Sequence, residues 1–131
     1  MTVASADVRA TSDLELLQGE WTSIAGRRSA KLVFSGDRFA FAFRDREHES
    51  YSGCFLIDTA PNPKQMDMRI EDGPPAHVGQ LALCIYRLES DLLRWCPSKP
   101  GAGYRFTAFP DVDDVGFLSL VFKHDHPRRN Q

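Results

Sequence analysis

The sequence has none of the features that mark nucleic-acid-binding, membrane-spanning or disulfide-rich proteins. Its 16 basic and 18 acidic residues give a formal net charge of −2, and the basic residues form no run, so no nucleic-acid partner is expected. No apolar stretch approaches the roughly 18–20 residues with which a helix crosses a bilayer, so no membrane partner is expected either. The three cysteines are an odd number at wide spacing, which favours reduced thiols.

The first residues, MTVASADVRATSD, lack the charged and apolar regions of a secretory signal. We therefore expect a cytoplasmic protein. A length of 131 residues fits one domain with a core of its own. We expect residues 1–12 to be a flexible leader, residues 13–124 to form the domain and residues 125–131 to be a flexible tail.

Recognisable catalytic and metal-binding motifs are also missing. The sequence has no Gly-x-Ser-x-Gly, no Cys-x-x-Cys and no cysteine paired with a histidine in a motif of nucleophilic catalysis. The acidic segment 111–114 lacks the spacing and the final Glu of a calcium loop. The four histidines lie in predicted loops or in the tail, at His48, His77, His124 and His126. We therefore expect no metal and no cofactor, and the sequence leaves open whether the protein is an enzyme.

What the sequence does contain is a short helical turn followed by many β-type segments. Residues 14–18 favour a helix that must end at Gly19. After it come apolar runs that are separated by Gly, Pro, Asn and Asp. Their spacing of about 8–12 residues predicts eight or nine strands of an antiparallel sandwich or barrel. The predicted strands are residues 20–25, 30–35, 38–44, 51–58, 65–71, 80–88, 92–96, 103–109 and 117–123.

The segment DRFAFAFR (37–44) has a phenylalanine at every second position, namely Phe39, Phe41 and Phe43. Alternate side chains of a strand point to the same face, so the three rings are expected in one row. If residues 36–37 form a two-residue turn, Phe34 lies opposite Phe39. The same inward face is extended by apolar residues of the neighbouring strands: Leu32, Phe55, Ile57, Met66, Met68 and Ile70.

The opposite face of these strands is polar. Asp67 and Arg69 are expected to point outward, as members of cross-strand ion pairs. A slip of one residue in the pairing turns a whole strand over, and the same side chains would then point inward as polar anchors. The alternation alone leaves this open for the strands at 65–71, 80–88 and 92–96.

Two cysteines and two polar side chains flank a predicted turn at residues 89–91. If the turn has three residues, Tyr86 lies opposite Arg94 and Cys84 lies opposite Cys96. Directly opposed Cβ atoms are about 4.5–5.5 Å apart, which is more than the roughly 3.5–4.5 Å that a disulfide requires. Two packed thiols are therefore favoured over a strained disulfide.

The stretch Gly19-Glu20-Trp21, directly after the helical turn, resembles the opening of lipocalin-like barrels, in which a Gly-x-Trp begins the first strand. The resemblance implies that Trp21 closes the narrow end of the barrel. It also implies that a basic residue of the last strand covers the indole ring, and Lys123 is the candidate for this cation–π contact. A structural role for Trp21 is favoured over a role in binding.

The wider pattern is similar to that of a family of small bacterial lipocalin-like domains of unassigned function. The family more often has a proline where this chain has Phe106, so the turn or strand start there is expected to differ. The resemblance implies an all-β fold, an antiparallel up-and-down lipocalin-like β-barrel of about eight or nine strands with a short N-terminal helical turn. It implies no activity. The matching segments are collinear and cover nearly the whole chain: LLQGEW (16–21), LVFSGDRF (32–39), the strand from Gly53 to Asp58, PKQMDM (63–68), CIYRLESDLLRWC (84–96), PGAGYRFTAF (100–109) and LSLVFK (118–123).

A barrel of this size points first to the binding of a small molecule. About eight strands enclose an interior that side chains fill or that holds one small ligand. We expect an apolar or aromatic ligand, bound by a monomer or a weak homodimer. The expected contacts are Phe34, Phe39, Phe41, Phe43, Phe55 and Met68, with a polar anchor among Tyr86, Arg94 and Tyr104.

Two other functions stay open. The same shell can act as a cyclase or isomerase on a natural-product intermediate, which requires a Tyr, Asp or Arg inside the barrel with room beside it for substrate. It can also be an interaction domain with a filled interior. A ligand site usually measures about 300 Å³ or more, whereas a packed domain holds few voids larger than water. The volume of the interior therefore separates the filled interaction domain from the two functions that require a cavity.

Overall fold

The computed structural model describes residues 12–45, 49–114 and 116–126. Residues 12–17 form one short helix, α1, and Gly19 follows it with a positive φ of 114°. The chain then continues as strands, as the helical turn and the stop at glycine predict. The strands are β1 (Gly19–Ala25), β2 (Ala30–Ser35), β3 (Arg38–Phe43), β4 (Ser50–Asp58), β5 (Lys64–Asp72), β6 (Leu81–Glu89), β7 (Leu92–Pro97) and β8 (Leu120–His124).

The eight strands form a closed antiparallel barrel. Each strand pairs with the next along the chain, and β1 pairs with β8 to close the sheet. The predicted fold class, an all-β up-and-down antiparallel barrel with a short N-terminal helical turn, is confirmed. Closure satisfies the backbone hydrogen bonds of strands that would otherwise be edges.

The ninth predicted strand is absent. Residues 103–109 form no strand, and β8 begins at Leu120 rather than at residue 117. The physical reason is that β7 pairs directly with β8, so the closed barrel has no free edge with which residues 103–109 could pair. Residues 98–119 instead form one long connection, here called the strap, whose described residues contain no strand.

The two ends of the barrel differ. The connections after β2, β4 and β6 are short, and they share one end with α1. Here this end is called the closed end. The connections after β1, β3, β5 and β7 lie at the other end, which is called the mouth. The strap is the longest of them.

The apolar face predicted from the alternation is the inward face. Phe34 pairs with Phe39 and Leu32 pairs with Phe41 across the turn at residues 36–37. Three rings of the β3 row are buried, as are their neighbours on β4 and β5, and Ile57 is partly buried. The buried residues of this set are Leu32, Phe34, Phe39, Phe41, Phe43, Phe55, Met66, Met68 and Ile70.

Trp21 fills the closed end and is 1% exposed. Its Nε1 donates a hydrogen bond to the carbonyl of Leu17 at 2.8 Å, which ties β1 to the helix. The ring is covered edge-on by His124, at 4.7 Å between ring centroids. The prediction that Lys123 covers Trp21 is wrong. The pairing of β1 with β8 sets Trp21 opposite His124, and alternation turns Lys123 to solvent.

A buried polar cluster fastens α1 to the barrel wall. The Tyr86 hydroxyl donates a hydrogen bond of 2.7 Å to Oδ2 of Asp13, and Nζ of Lys64 lies 2.9 Å from the same oxygen. Burial of Tyr86, together with its hydrogen bond to Asp13, raises the pKa of the phenol well above its ordinary value. Tyr86 is therefore a neutral donor that holds the helix in place.

The β6–β7 turn has two residues instead of the predicted three. Ser90 has a positive φ of 58°, which suits the first position of a type II′ turn. The pairing therefore slips by one residue, so that Tyr86 lies opposite Trp95 and Cys96 lies opposite Ile85. The predicted pairs Tyr86–Arg94 and Cys84–Cys96 are wrong. Cys54, Cys84 and Cys96 are free thiols.

Most of the expected leader and of the expected tail lies outside the described residues. The expected leader, residues 1–12, lies outside the described residues except for residue 12, which begins α1. The expected tail begins at Asp125, but this residue is held by β1. Its backbone N–H donates to the carbonyl of Glu20 at 2.8 Å, and its carboxylate accepts from Thr22 Oγ1 at 2.6 Å. Residues 127–131 lie outside the described residues.

Candidate functional site

A cavity of about 360 Å³ opens at the mouth of the barrel. Its walls are formed by β3, β4, β5, β6 and β7 and by the strap. The lining is mostly apolar, with aromatic rings on opposite sides. This volume lies at the lower end of the roughly 300–1,000 Å³ that is usual for small-molecule sites.

The phenylalanine row of β3 forms one wall of the cavity. Phe39, Phe41 and Phe43 all line it. The ring of Phe41 lies 5.1 Å from that of Trp95 on the far side of the barrel and 4.9 Å from that of Phe43. Such distances between ring centroids are those of attractive aromatic pairs. Phe41 therefore contacts a side chain across the barrel and also borders the free space.

The strap supplies an aromatic rim. Tyr104 and Phe117 line the cavity although they are 49% and 46% exposed. Phe106 lies between them, with ring centroids 5.6 Å from Tyr104 and 5.0 Å from Phe117. Clusters of large, half-exposed aromatic rings beside an opening are uncommon on protein surfaces. They are typical of surfaces that bind a ligand or a partner.

The strap is fastened to the outer face of the barrel. Arg105 donates from Nη1 to the carbonyl of Cys84 at 2.9 Å and pairs with the carboxylate of Asp67. Arg94 donates to the carbonyl of Pro110 at 2.8 Å. These contacts join β5, β6 and β7 to the middle part of the strap, at Arg105 and Pro110. They also place Asp67 outside the barrel, as predicted.

A hydrogen-bonded pair of side chains lies at the cavity wall. Tyr51 lines the cavity, and its hydroxyl is 3.1 Å from Nδ1 of His77, which belongs to the connection after β5. The two rings are nearly parallel, at 16°. Burial raises the pKa of Tyr51, so the hydroxyl stays protonated. The pair can donate or accept a proton beside the cavity.

Lys99 lies among the lining residues, on a tight turn of the strap. The N–H of Ala102 donates to the carbonyl of Lys99 at 3.0 Å, and Gly101 has a φ of 80°. Proline second and glycine third are the residues that a type II turn requires. The backbone before it is also held, since the N–H of Ser98 donates to the carbonyl of Leu83 at 3.0 Å.

The buried thiols are poor candidates for chemistry. Burial raises the pKa of Cys84 well above its ordinary value and raises that of Cys96 to about 11. Both thiols are therefore protonated near neutral pH, and a thiol is a weak nucleophile and metal ligand until it is ionised.

The structure places five of the nine predicted site residues at the cavity and four elsewhere. Those at the cavity are Phe39, Phe41, Phe43, Met68 and Tyr104. Phe34 and Phe55 pack against each other nearer the closed end, with ring centroids 4.8 Å apart. Tyr86 is inside the barrel, but its hydroxyl is bonded to Asp13. Arg94 points outward, because the two-residue turn reverses the predicted face of β7.

Several residues of the site are not predicted from the sequence. The inward position of Trp95 can be predicted once the β6–β7 turn is given two residues, because Trp95 then lies opposite Tyr86. The alternation predicts Ile70 on the inward face, and the structure adds it to the lining of the cavity. For Tyr51 and the strap residues, the sequence holds no usable signal, because their position depends on how the connections fold over the mouth. The remaining lining residues not named above are Ala82, Pro97, Pro100, Gly116 and Leu118.

In the part of the chain that the structure describes, no three or more His, Cys, Asp or Glu side chains are arranged to hold a metal ion. Among the same residues, no helix has the length and the hydropathy needed to span a bilayer. Comparison of the chain with protein-family models, with curated proteins and with solved structures returns no match.

Proposed function

We propose that this protein binds a small apolar or aromatic molecule in the cavity at the mouth of the barrel. The observation that carries the proposal is the open space of about 360 Å³ beside Phe41 and Trp95. A barrel of eight strands can be filled by its own side chains. Space of this size is costly to leave beside apolar rings unless something occupies it.

The division of the interior supports this proposal over that of a filled interaction domain. Toward the closed end the barrel is packed, with Trp21, Phe34 and Phe122 each 2% exposed or less. Toward the mouth the packing gives way to the cavity. If the interior served only stability, side chains would be expected to fill it along the whole length of the strands, because native interiors are close-packed.

The proposal includes a place among lipocalin-like barrels in the cytoplasm. Its support is the Gly19-Glu20-Trp21 opening, which lies at the closed end beside α1, and the three free thiols. In a lipocalin-like barrel the closed end is the structural end, and the opposite end admits the ligand.

The test fills the cavity without touching the outer surface. Ala82 lines the cavity and is 7% exposed, so Ala82→Leu places a larger side chain inside it. Ala40, on the outer face of β3, is exposed, and Ala40→Leu makes the same chemical change there. Binding of 2-naphthalenemethanol, an uncharged two-ring probe, is measured by calorimetry for the parent protein and for both variants.

We expect the parent and Ala40→Leu to bind the probe equally and Ala82→Leu to bind it at least tenfold more weakly. Native mass spectrometry of freshly purified protein is expected to show a carried small molecule that Ala82→Leu lacks. Thermal unfolding of each variant shows that it is folded. Equal binding by a folded Ala82→Leu variant, or no binding by the parent, would refute the proposal.

A second function is favoured by the pair Tyr51 and His77. A hydroxyl bonded to an imidazole beside an apolar cavity meets the requirement for a cyclase or isomerase, namely a proton donor and acceptor next to space for substrate. If the carried molecule is converted on incubation with the protein, Tyr51→Phe is expected to slow the conversion by about a hundredfold or more while the molecule stays bound. Conversion at the parent rate by Tyr51→Phe would exclude this role.

A further inference from the structure

The charged side chains near the mouth differ in whether an ion pair neutralises them. Among the described residues that line the cavity, Lys99 alone carries a formal charge. It is exposed, and no ion pair holds it within the described part of the chain. The other polar groups of the lining include Tyr51, whose hydroxyl is bonded to His77, and Ser98, whose Oγ accepts from the N–H of Leu83 at 3.1 Å.

Another cation near the mouth is already neutralised. The guanidinium of Arg28 lies 3.5 Å from the ring centroid of Phe43, so it belongs to the same end of the barrel. It is paired with Asp45 at 2.9 Å and with Glu49 at 3.1 Å. An incoming anion would have to compete with these carboxylates at Arg28, whereas at Lys99 it would meet an unpaired ammonium.

The position of Lys99 is defined by its backbone. It opens the type II turn that ends at Ala102, and Pro97 and Pro100 flank it on both sides. Gly101 donates its N–H to the carbonyl of Leu81 at 3.0 Å, which fixes the turn to β6. The ammonium group is therefore presented from a fixed point at the rim, and a ligand does not have to order the backbone in order to meet it.

The polarity of the site restricts how a charged ligand can lie in it. An ionised group that enters the apolar part without a partner loses its hydration at a cost of several kcal/mol. The favourable arrangement keeps the charged group at the rim, beside Lys99 and water, and buries the apolar body against Phe41 and Trp95. The net charge of the whole chain is −2, so an anion is not attracted by the protein in general.

The volume restricts the size of the apolar body. A cavity of roughly 150 Å³ holds benzene. The cavity here is more than twice as large, at about 360 Å³. One ring leaves much of it empty, so a body of about two fused rings or a comparable branched chain is the better fit.

We propose that the ligand of this cavity is an amphipathic acid of about two rings, whose carboxylate pairs with Lys99 at the rim while its apolar body packs against the adjoining rings of Phe41 and Trp95. This inference rests on the proposed function and adds to it the charge, the orientation and the size of the ligand.

The test compares three probes that share a naphthalene body: 2-naphthoate, 2-naphthalenemethanol and protonated 2-naphthylmethylamine. Each is titrated by calorimetry into the parent protein, Lys99→Gln, Lys99→Glu and the control Lys123→Gln. Lys123 is an exposed lysine of β8 toward the closed end, so the control removes the same charge far from the mouth. The titrations are repeated at high salt.

For the parent we expect naphthoate to bind about fivefold more tightly than the alcohol, the scale of one partly exposed ion pair, and the ammonium probe to bind most weakly. Lys99→Gln is expected to abolish the difference, Lys99→Glu to reverse it and Lys123→Gln to preserve it. High salt is expected to weaken naphthoate but not the alcohol.

The outcomes separate this inference from the function on which it rests. If the alcohol binds in the cavity and naphthoate binds no more tightly, or if Lys99→Gln leaves the preference unchanged, the assignment of the acid to Lys99 is wrong and the small-molecule function stands. If none of the three probes binds the folded parent protein, both are refuted.

Discussion

At the scale of single residues, Gly53 shows how closely β4 and β5 approach each other. It lies at the point where the pairing of the two strands shifts register, next to Ser52. A Cβ atom at Gly53 would stand 1.8 Å from the carbonyl oxygen of Arg69. Because the obstacle is backbone rather than a flexible side chain, no rotamer change relieves it.

We expect Gly53→Ala to lower the free energy of unfolding by about 2–3 kcal/mol, as overpacking of a close contact does. Chemical denaturation measures the loss. The matched control is Ser52→Ala, whose parent hydroxyl makes no hydrogen bond within the described residues and whose effect is expected within about 0.5 kcal/mol. Equal stability of the two variants would show that the strands separate freely at this point.

A second residue-scale feature is the phenol of Tyr86 at the closed end. We expect Tyr86→Phe to cost about 1–3 kcal/mol near neutral pH, because Asp13 loses a buried donor. The folded-state pKa of Tyr86 is raised above the ordinary value of 10. The stabilisation is therefore complete below about pH 10 and is lost as the pH rises above that value.

Unfolding of the parent and of Tyr86→Phe between pH 7 and 11 checks this expectation. The difference between the two proteins should narrow above pH 10. A difference that is independent of pH would mean that the hydroxyl contributes through packing alone. Since Tyr86 is not among the cavity residues, the variant is expected to bind 2-naphthalenemethanol like the parent.

At the scale of elements, the strap carries the features that distinguish this barrel. It contributes the aromatic rim and Lys99 to the mouth and fastens itself to the outer face through Arg105. A connection of this length without secondary structure is uncommon in a small domain and is usually functional. It is joined to the barrel by side-chain contacts such as those of Arg105 and Arg94 and not by a sheet ladder.

We expect Arg105→Gln to loosen the strap and to leave the barrel intact. Chymotrypsin, which cleaves after aromatic residues, should then cut at Tyr104 or Phe106 several-fold faster than in the parent. The control is Arg69→Gln, which removes an exposed arginine from the outer face of β5. Equal cleavage of the Arg105→Gln and Arg69→Gln variants would show that the strap is held by its apolar contacts instead.

At the scale of the whole molecule, closure of the sheet makes the barrel a single cooperative unit. Separating β6 from β7 in a closed barrel leaves unpaired backbone groups on both strands. Local separation of the strands therefore costs much free energy. The three cysteines can be used to measure this cooperativity, because they differ in solvent exposure. Cys84 and Cys96 are 0% exposed, on opposite faces of the sheet, whereas Cys54 is partly exposed.

We therefore expect a maleimide to label only Cys54 in the native protein. Cys84 and Cys96 should become labelled together, at the rate of global unfolding, when denaturant is added. Mass spectrometry of the labelled protein gives the number and the position of the adducts. Faster labelling of Cys96 than of Cys84 would contradict this expectation and would show that the strap lifts from β7 while the barrel stays closed.

The elements that could be predicted are those whose signal is local. The sequence predicts that Phe39, Phe41 and Phe43 share one face of their strand, because the alternation of side chains is a property of the strand backbone. The pairing of Phe34 with Phe39 followed from a glycine turn of fixed length. The predicted pairing of β6 with β7 is wrong because their two-residue turn contains Ser90 with a positive φ. Such a φ is uncommon for a residue other than glycine.

By itself the sequence determined the position of most strands, the inward face of β2 to β4 and the end of α1 before Gly19, since each depends on neighbours along the chain. Only the tertiary structure decided that residues 103–109 form a strap instead of a strand, that Arg94 points outward and that open space remains beside Phe41. These depend on which edges are already paired and on how much volume remains when the sheet closes. That volume is a property of all eight strands together, and no single strand encodes it.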